Sequence, residues 1–212
     1  MNLKPKRSWL CITKVSLRFF FIVFTVLCVW IGWYILRWQA QRSCVREILK
    51  ASGGVVYSHR YTNGVYNANP VLPGLTFVRE GLGLDFVDHV IIVDFNHHEE
   101  LDQLPDLDGL PRLESLLIPE TNVTDLSPAS GLANLESLWI ARTPITNLGP
   151  IKNNKKLEWI NICDTNIVDL SPLFDLPNLK TLVLTGAGIP PDQIDKFRSR
   201  QPDCEIFDES PK

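Results

Sequence analysis

The run His97-His98-Glu99-Glu100 is the only cluster in the sequence whose side chains suit metal binding or hydrolysis. Imidazole and carboxylate groups ligate zinc and act as general bases. Adjacent histidines in a polar turn point in different directions, however, and the pattern places no third ligand beside them. The run therefore indicates a solvated loop. A hydrolase that uses the His97/His98 turn is the less favoured alternative, and we expect no metal and no cofactor.

Thiol chemistry is the second possibility, because the chain has five cysteines: Cys11, Cys28, Cys44, Cys163 and Cys204. The number is odd and no C-x-x-C occurs, so neither a zinc knuckle nor a disulfide framework is indicated. Cys163 precedes Asp164, but no histidine lies near it in its frame, which argues against a thiol nucleophile. The G-x-S-x-G, H-E-x-x-H and P-loop motifs are absent. We expect no catalytic residues and a protein that is not an enzyme.

The elements that position any functional side chain here are repeats. Four L-x-x-L-x-Φ frames, where Φ is Leu or Ile, follow one another at a constant spacing of 22 residues and begin at Leu113, Leu135, Leu157 and Leu179. A fixed period of this length predicts a solenoid, in which each unit buries its apolar face only by stacking on the next. A less regular unit precedes them at Val90. Cys204 and Ile206 lie 22 residues beyond Leu182 and Leu184 and predict a final capping strand.

The second half of each unit repeats as well, with Thr, then Val or Ile, then Leu and Pro at fixed places. The segment T-N-I-V-D-L-S-P-L-F-D-L-P-N-L, residues 165–179, shows this most completely. These segments resemble the leucine-rich repeat, and more closely the 22-residue internalin-like class of bacteria. Thr121, Thr143 and Thr165 stand where such repeats usually place Asn, so we expect a row of hydroxyl groups bonded to the backbone there.

The resemblance implies an α/β fold, a leucine-rich-repeat solenoid with parallel strands on the concave face and irregular turns on the convex face. An N-terminal transmembrane helix is expected to precede it. Leu75 to Leu84 is predicted as a helix within the capping region. The expected organisation is a basic segment at 1–18, the transmembrane helix at 19–38, a juxtamembrane helix and N-terminal cap at 39–88, the repeats at 89–189, and a C-terminal cap and tail at 190–212.

The membrane helix is predicted from an uncharged run of 18 residues, Phe19 to Leu36, which as a helix is about 27 Å long and close to the hydrocarbon thickness. A cleavable signal peptide is the alternative, but no small-x-small cleavage site follows the run. Basic residues flank both ends, and large C-terminal domains translocate largely regardless of charge. We expect a single-pass inner-membrane protein whose body lies outside the cytoplasm.

Charge is distributed unevenly along the chain. Residues 1–50 hold nine Lys or Arg and one Asp or Glu, which leaves 12 basic and 23 acidic residues in the remainder, a net charge of −11. Nucleic-acid binding needs a cationic footprint, so an acidic body argues against it.

The concave strand face carries the candidate binding residues. Side chains alternate along a strand, so frame positions 3, 5 and 7 point away from the core. Trp139 and Trp159 fall on neighbouring strands, should touch, and form an apolar patch with Leu117 and Val183. Exposed aromatic clusters favour partner binding, whereas packing of the two rings on each other or under a flanking loop is the alternative. The candidate partner-binding residues are Leu117, Trp139, Arg142, Trp159, Asn161 and Val183.

Frame position 8 reads His97, Glu120, Arg142, Asp164 and Gly186 along the repeats. Charges that alternate in sign on successive strands are typical of a cross-strand ion ladder, which needs no ligand. Asn154 interrupts the pattern at the place held by Leu132 and Leu176, and because an unpaired buried amide is costly, we expect that turn to bulge outward.

Taken together, these features favour a membrane-anchored protein that binds a protein partner through its concave face at the cell envelope. A purely structural envelope protein is the alternative.

Overall fold

The computed structural model describes residues 17–62, 65–66 and 88–208. The chain divides into two compact units, residues 1–37 and 38–212. There are two described helices, α1 (Leu17–Lys50) and α2 (Pro191–Arg200). The described strands are β1 (Gly54–Tyr57), β2 (Tyr61–Thr62), β3 (Val65–Tyr66), β4 (Val90–Asp94), β5 (Ser115–Leu117), β6 (Ser137–Trp139), β7 (Trp159–Asn161), β8 (Thr181–Val183) and β9 (Glu205–Phe207). The helix predicted at 75–84 lies outside the described residues.

One seven-stranded sheet runs the length of the repeats in the order β1-β4-β5-β6-β7-β8-β9. Strands β4 to β9 are all parallel, and equivalent residues of successive frames pair directly, as Leu116 with Leu138 and Leu138 with Ile160. The predicted leucine-rich-repeat solenoid is therefore confirmed. In-register pairing follows from the constant repeat length, because any slip would separate the inward leucines.

The hydrophobic core is a continuous stack of side chains that runs through all the repeats, and it is not a single central cluster. Frame positions 1, 4 and 6 are essentially inaccessible to solvent in every regular repeat, from Leu113 to Leu184. Between strands, each chain returns through a short 3₁₀ turn that begins next to a proline, at Ser127–Ala129, Gly149–Asn153 and Ser171–Leu173. Each turn adds one further buried apolar side chain: Ala129, Ile151 and Leu173.

At the N-terminal edge, β1 pairs antiparallel with β4 and ends the parallel series. The last turns of α1 bury Cys44, Val45 and Ile48 in the same core cluster as the repeats. The close approach of α1 to the segment that contains Gly109 requires a glycine at that position, because a Cβ there would lie 2.6 Å from the Ala40 carbonyl oxygen. The helix ends where Ser52 adopts a left-handed backbone, with φ of 63°.

At the C-terminal edge, α2 begins with Pro191 in its first turn, as the sequence predicts, and buries Phe197. Strand β9 pairs Ile206 with Leu182 rather than with Leu184. The predicted register was therefore wrong by two residues, because the α2 connection is longer than a repeat. An even shift preserves the alternation of sides, so Ile206 still faces inward.

The apolar part of α1 is exposed along its length in the first unit, with side chains such as Phe19, Ile22 and Leu36 more than half accessible. This is the one described helix long and apolar enough to cross a membrane. A signal sequence near an N-terminus has the same length and composition, so the helix is a candidate span.

Polar groups between the repeats are bonded to backbone oxygens. The hydroxyls of Thr121, Thr143 and Thr165 are buried and donate to the carbonyl oxygens of Ile118, Ile140 and Ile162 at 2.7 to 2.9 Å. The expected row of hydroxyls is present, but each bond closes a turn within its own repeat. Contacts between repeats come from asparagines instead: Asn134 donates to Pro111 O at 2.6 Å and Asn178 donates to Lys155 O at 2.7 Å.

Asn154 does not bulge outward, which corrects the expectation from sequence. Its side chain is 1% exposed, and its amide nitrogen donates to Ala129 O at 3.0 Å and Leu132 O at 3.3 Å in the preceding repeat. Two hydrogen bonds compensate the burial of the amide, although its Oδ1 accepts none. At the end of the solenoid, Gln201 donates in the same way to Phe174 O and Leu176 O.

Replacing Asn154 with Ala is expected to lower the free energy of unfolding by about 1 to 3 kcal/mol, because two buried hydrogen bonds between repeats are lost and a void remains. Urea denaturation followed by circular dichroism measures the change. Asn153→Ala, in the same turn but exposed, is the matched control and should change stability by less than about 0.5 kcal/mol. Equal losses in both variants would contradict a bridging role for Asn154.

Gly109→Ala is expected to destabilise the protein by about 1 to 3 kcal/mol, because the new methyl group meets Ala40 backbone atoms and cannot be accommodated by a side-chain rotation. Gly131 occupies the same place one repeat later, where a Cβ would meet only the Asp108 carboxylate at 3.3 Å. Gly131→Ala should therefore be nearly neutral. Comparable denaturation midpoints for the two variants would show that α1 does not pack tightly at Gly109.

Candidate functional site

The sheet places four of the six candidate residues in one straight column. Leu117 pairs with Trp139, Trp139 with Asn161, and Asn161 with Val183 on successive strands. All four side chains are half-buried, so the patch is less open than the sequence suggested. Trp159 stands beside this column at frame position 3, and Arg142 lies three residues after Trp139, beyond the strand end.

Trp139 and Trp159 pack edge to face, with ring centroids 6.0 Å apart and planes at 79°. The predicted contact between them is confirmed. This geometry is one that aromatic pairs prefer, and it is worth about 0.5 to 1.5 kcal/mol beyond the buried area. The Trp139 indole Nε1 is shielded from solvent and has no hydrogen-bond partner among the described residues. The pair therefore forms a rigid apolar centre on the concave face.

The apolar column extends one strand further than the sequence indicated. Phe207 pairs with Val183 and is 45% exposed, which makes it the most accessible apolar side chain in the sheet. The sequence pattern did not place Phe207 in this column, because a 22-residue spacing aligns it with Thr185 and β9 is shifted by two residues. No signal in the sequence identifies that shift, because the α2 packing sets it.

The predicted ion ladder is present along one edge of the sheet. Arg142 donates to Glu120 at 2.6 Å and to Asp164 at 3.3 Å, and the His97 ring bonds the second oxygen of Glu120. The hydrogen bond from His97, followed in size by that from Arg142, lowers the pKa of Glu120. The carboxylates of Glu120 and Asp164 in turn raise the pKa of Arg142. Arg142 and Asp164 are exposed and Glu120 is partly buried, so solvent screens these pairs and they contribute little to stability.

Every member of this ladder has a left-handed backbone. The φ angles of His97, Glu120, Arg142 and Asp164 lie between 53° and 60°, and that of Gly186 is 74°. For residues other than glycine this conformation costs roughly 1 to 2 kcal/mol each, so the exposed ion pairs do not by themselves account for four such residues. Gly186 in the same column is the sequence signal that could have revealed the turn. A side chain there would collide with the Asp164 carboxylate.

A cleft of about 280 Å³ lies between the ladder and Trp139. We call it the ladder cleft; its walls include Pro119, Glu120, Trp139, Arg142, Asn161 and Asp164. Three of the six residues predicted from sequence thus meet in one concavity, whereas Leu117, Trp159 and Val183 line the sheet beside it. The Asn161 Oδ1 atom is held by the Cys163 backbone N–H at 2.9 Å.

The residues first considered for metal or thiol chemistry are arranged differently. His97 bonds Glu120, and no group of three His, Cys, Asp or Glu side chains within the described part of the chain could hold a metal ion. Cys163 and Cys204 are free thiols, and burial raises the pKa of both, that of Cys204 to about 11. Cys204 is 9% exposed, which agrees with its assignment to the core.

No protein-family model and no curated protein matches the sequence. Among solved structures, the chain is similar to internalin C2 of Listeria monocytogenes at 27% identity, over 64% of this chain and 55% of that protein, with a TM-score of 0.49. It is also similar to a leucine-rich-repeat protein of Leptospira interrogans at 29% identity, over 49% and 28% of the two chains, with a TM-score of 0.46. A further Listeria monocytogenes internalin matches at 27% identity over 50% and 31%, also with a TM-score of 0.46.

The chain therefore spans between 28% and 55% of the length of these three proteins. Each likeness covers only part of the other protein. The repeats of this chain have a 22-residue period, one short parallel strand per repeat in register with its neighbours, and a 3₁₀ return turn. By these features the chain carries an internalin-like leucine-rich-repeat solenoid.

Proposed function

We propose that the protein recognises a protein partner through the concave face of the solenoid. The observation that carries the proposal is the edge-to-face pair of Trp139 and Trp159, both half-buried. Trp139 lies in the column from Leu117 to Phe207, which is apolar except for Asn161, and Trp159 lies beside it. Tryptophan is enriched among residues that dominate binding energy, and it supplies contact area at a low entropic cost. Arg142 provides a polar group beside this surface, and Asn161 provides one within the column, between Trp139 and Val183.

We further propose that residues 19–38 anchor the protein in a membrane as a single span. The exposed phenylalanine, isoleucine and leucine side chains along this part of α1 need an apolar environment. The proposed organisation keeps residues 39–88 as a juxtamembrane and capping region before the repeats at 89–189, and 190–212 as the C-terminal cap and tail. The repeats then lie outside the cytoplasm, at the inner membrane of a cell envelope.

A purely structural role is the second candidate, and it is favoured by the fact that the two tryptophans contact each other. Under that role the rings would serve only to stiffen the sheet. Enzymatic turnover by the His97/His98 turn has less support, because His97 is bonded to Glu120 and the cleft beside the turn is lined by exposed surface residues such as Lys50 and Glu99.

Changing both Trp139 and Trp159 to Ala is expected to abolish cross-linking to the partner while leaving the protein folded. A photo-reactive residue at Thr181, directly opposite Trp159 on the next strand, should capture the partner in cells. Once the partner is purified, the double variant should bind it at least about 2 kcal/mol more weakly, roughly 30-fold in Kd. Because the rings are only half-buried, the stability loss should stay below the 3 to 5 kcal/mol typical of one buried aromatic ring.

Val168 provides the control for that experiment, since it is a 55% exposed apolar residue outside the strands. Val168→Ala should alter neither cross-linking nor affinity. Unchanged capture by the double variant would favour the structural role, and so would a stability loss as large as that of a core residue.

The orientation is tested by thiol labelling, but Cys44 is unsuitable because it is 6% exposed and its sulfhydryl donates to Asp106 O. In a Cys163→Ser background, Thr146→Cys places an exposed thiol on the repeats. A membrane-impermeant maleimide applied to spheroplasts should label position 146 and not Cys11, whereas lysed cells should label both. Labelling of Cys11 alone in spheroplasts would reverse the proposed orientation.

A further inference from the structure

We propose that the ladder cleft receives a cationic side chain, arginine or lysine, from the partner protein. This inference rests on the proposed function in assuming that a protein binds the concave face. It adds the chemistry of recognition at a defined place, between the aromatic pair and the ion ladder.

The size of the cleft fits one side chain. At about 280 Å³ it lies just below the range of pockets that enclose a drug-sized ligand. It is also continuous with the apolar column through Trp139, which belongs to both surfaces. A partner lying along the column can therefore place one long side chain into the cleft without leaving the sheet.

The charge of the cleft favours a cation. Glu120, Arg142 and Asp164 carry a net charge of −1, and the chain beyond residue 50 has a net charge of −11. The Asp164 Oδ1 atom accepts no hydrogen bond from any described residue and lies beside Gly186, and the Asp164 side chain is 52% accessible. The carboxylate as a whole lines the cleft and keeps unused acceptor capacity for an incoming N–H donor.

The aromatic wall favours the same class of group. Trp139 forms one side of the cleft, and an arginine or lysine positioned over an indole ring is attracted by the negative face of the ring. A long aliphatic stem also packs against the apolar column while its charged end reaches the carboxylates. A carboxylate from a partner would instead meet Glu120 and Asp164 at close range.

The ladder itself makes the proposal sharply testable, because Arg142 already occupies the space between the two carboxylates. An incoming cation competes with its guanidinium for Glu120 and Asp164. Removing that guanidinium should therefore strengthen the binding of a cation. If the cleft instead binds an anion through Arg142, the same change should abolish binding, so the two possibilities predict opposite signs.

The experiment uses the full-length protein in detergent micelles with ¹⁵N-labelled tryptophan. The indole N–H signal of Trp139 is assigned by its loss in Trp139→Phe. The probes are the capped tripeptides acetyl-Gly-Arg-Gly-amide and acetyl-Gly-Glu-Gly-amide, titrated at low salt. The arginine probe should shift the Trp139 signal saturably, and the glutamate probe should not.

Two variants test the assignment of the binding groups. Arg142→Gln should lower the Kd of the arginine probe at least threefold, and Asp164→Asn should raise it at least threefold. Lys180→Gln, which breaks the separate ion pair with Glu158, is the matched control and should leave the Kd unchanged. The remaining indole signals report whether each variant stays folded.

The inference is overturned if the arginine probe gives no saturable shift in a folded protein, or if Arg142→Gln weakens its binding. It is also overturned if the glutamate probe binds and Arg142→Gln abolishes that binding. Failure of the probe while Thr181 cross-linking still depends on the tryptophan pair would leave the proposed function intact. Loss of that cross-linking dependence, with the probe still bound, would instead reject the proposed function.

Discussion

Stacking between repeats is the constraint on which the rest of the structure depends. A strand of three residues with a short return turn cannot bury its own leucines, so each repeat is stable only against its neighbours. Parallel pairing brings successive strands to about 4.8 Å and joins them by backbone hydrogen bonds. Leu116, Leu138, Ile160 and Leu182 are all fully buried for this reason, each being covered by the repeats on either side.

The same stacking converts a position in the repeat into a column in space. Any residue type that recurs every 22 residues is brought beside its own equivalents, whether or not the fold needs them together. The ion ladder from His97 to Asp164 and the apolar column from Leu117 to Phe207 are both products of this rule. The ladder residues also share one left-handed backbone conformation, which costs more free energy than exposed ion pairs contribute, as is common for residues at functional sites.

Polar side chains satisfy backbone carbonyl groups at the C-terminal end of the solenoid and at its irregular turn, and a glycine allows close packing at the N-terminal end. Gln201 covers the carbonyls of the last turn, and Asn154 does the same between two internal repeats. Gly109 lets α1 pack closely against the repeats, whereas a Cβ at the equivalent Gly131 would meet only the Asp108 carboxylate. At Asn154, the polar residue that interrupts the leucine pattern stays buried and joins two neighbouring turns by hydrogen bonds.

The sequence by itself determined the solenoid, the inward positions, the contact between the tryptophans and the order of charges in the ladder. These follow from the repeat length and the alternation of side chains, which are local properties. Tertiary structure decided the burial of Asn154, the register of β9 and the exposure of Phe207, because each depends on a neighbouring turn or on α2. It also decided that Trp139, Asn161 and Arg142 share one cleft, since the left-handed turn after each strand sets where the ladder side chains lie, and Gly186 was the sequence signal for that turn.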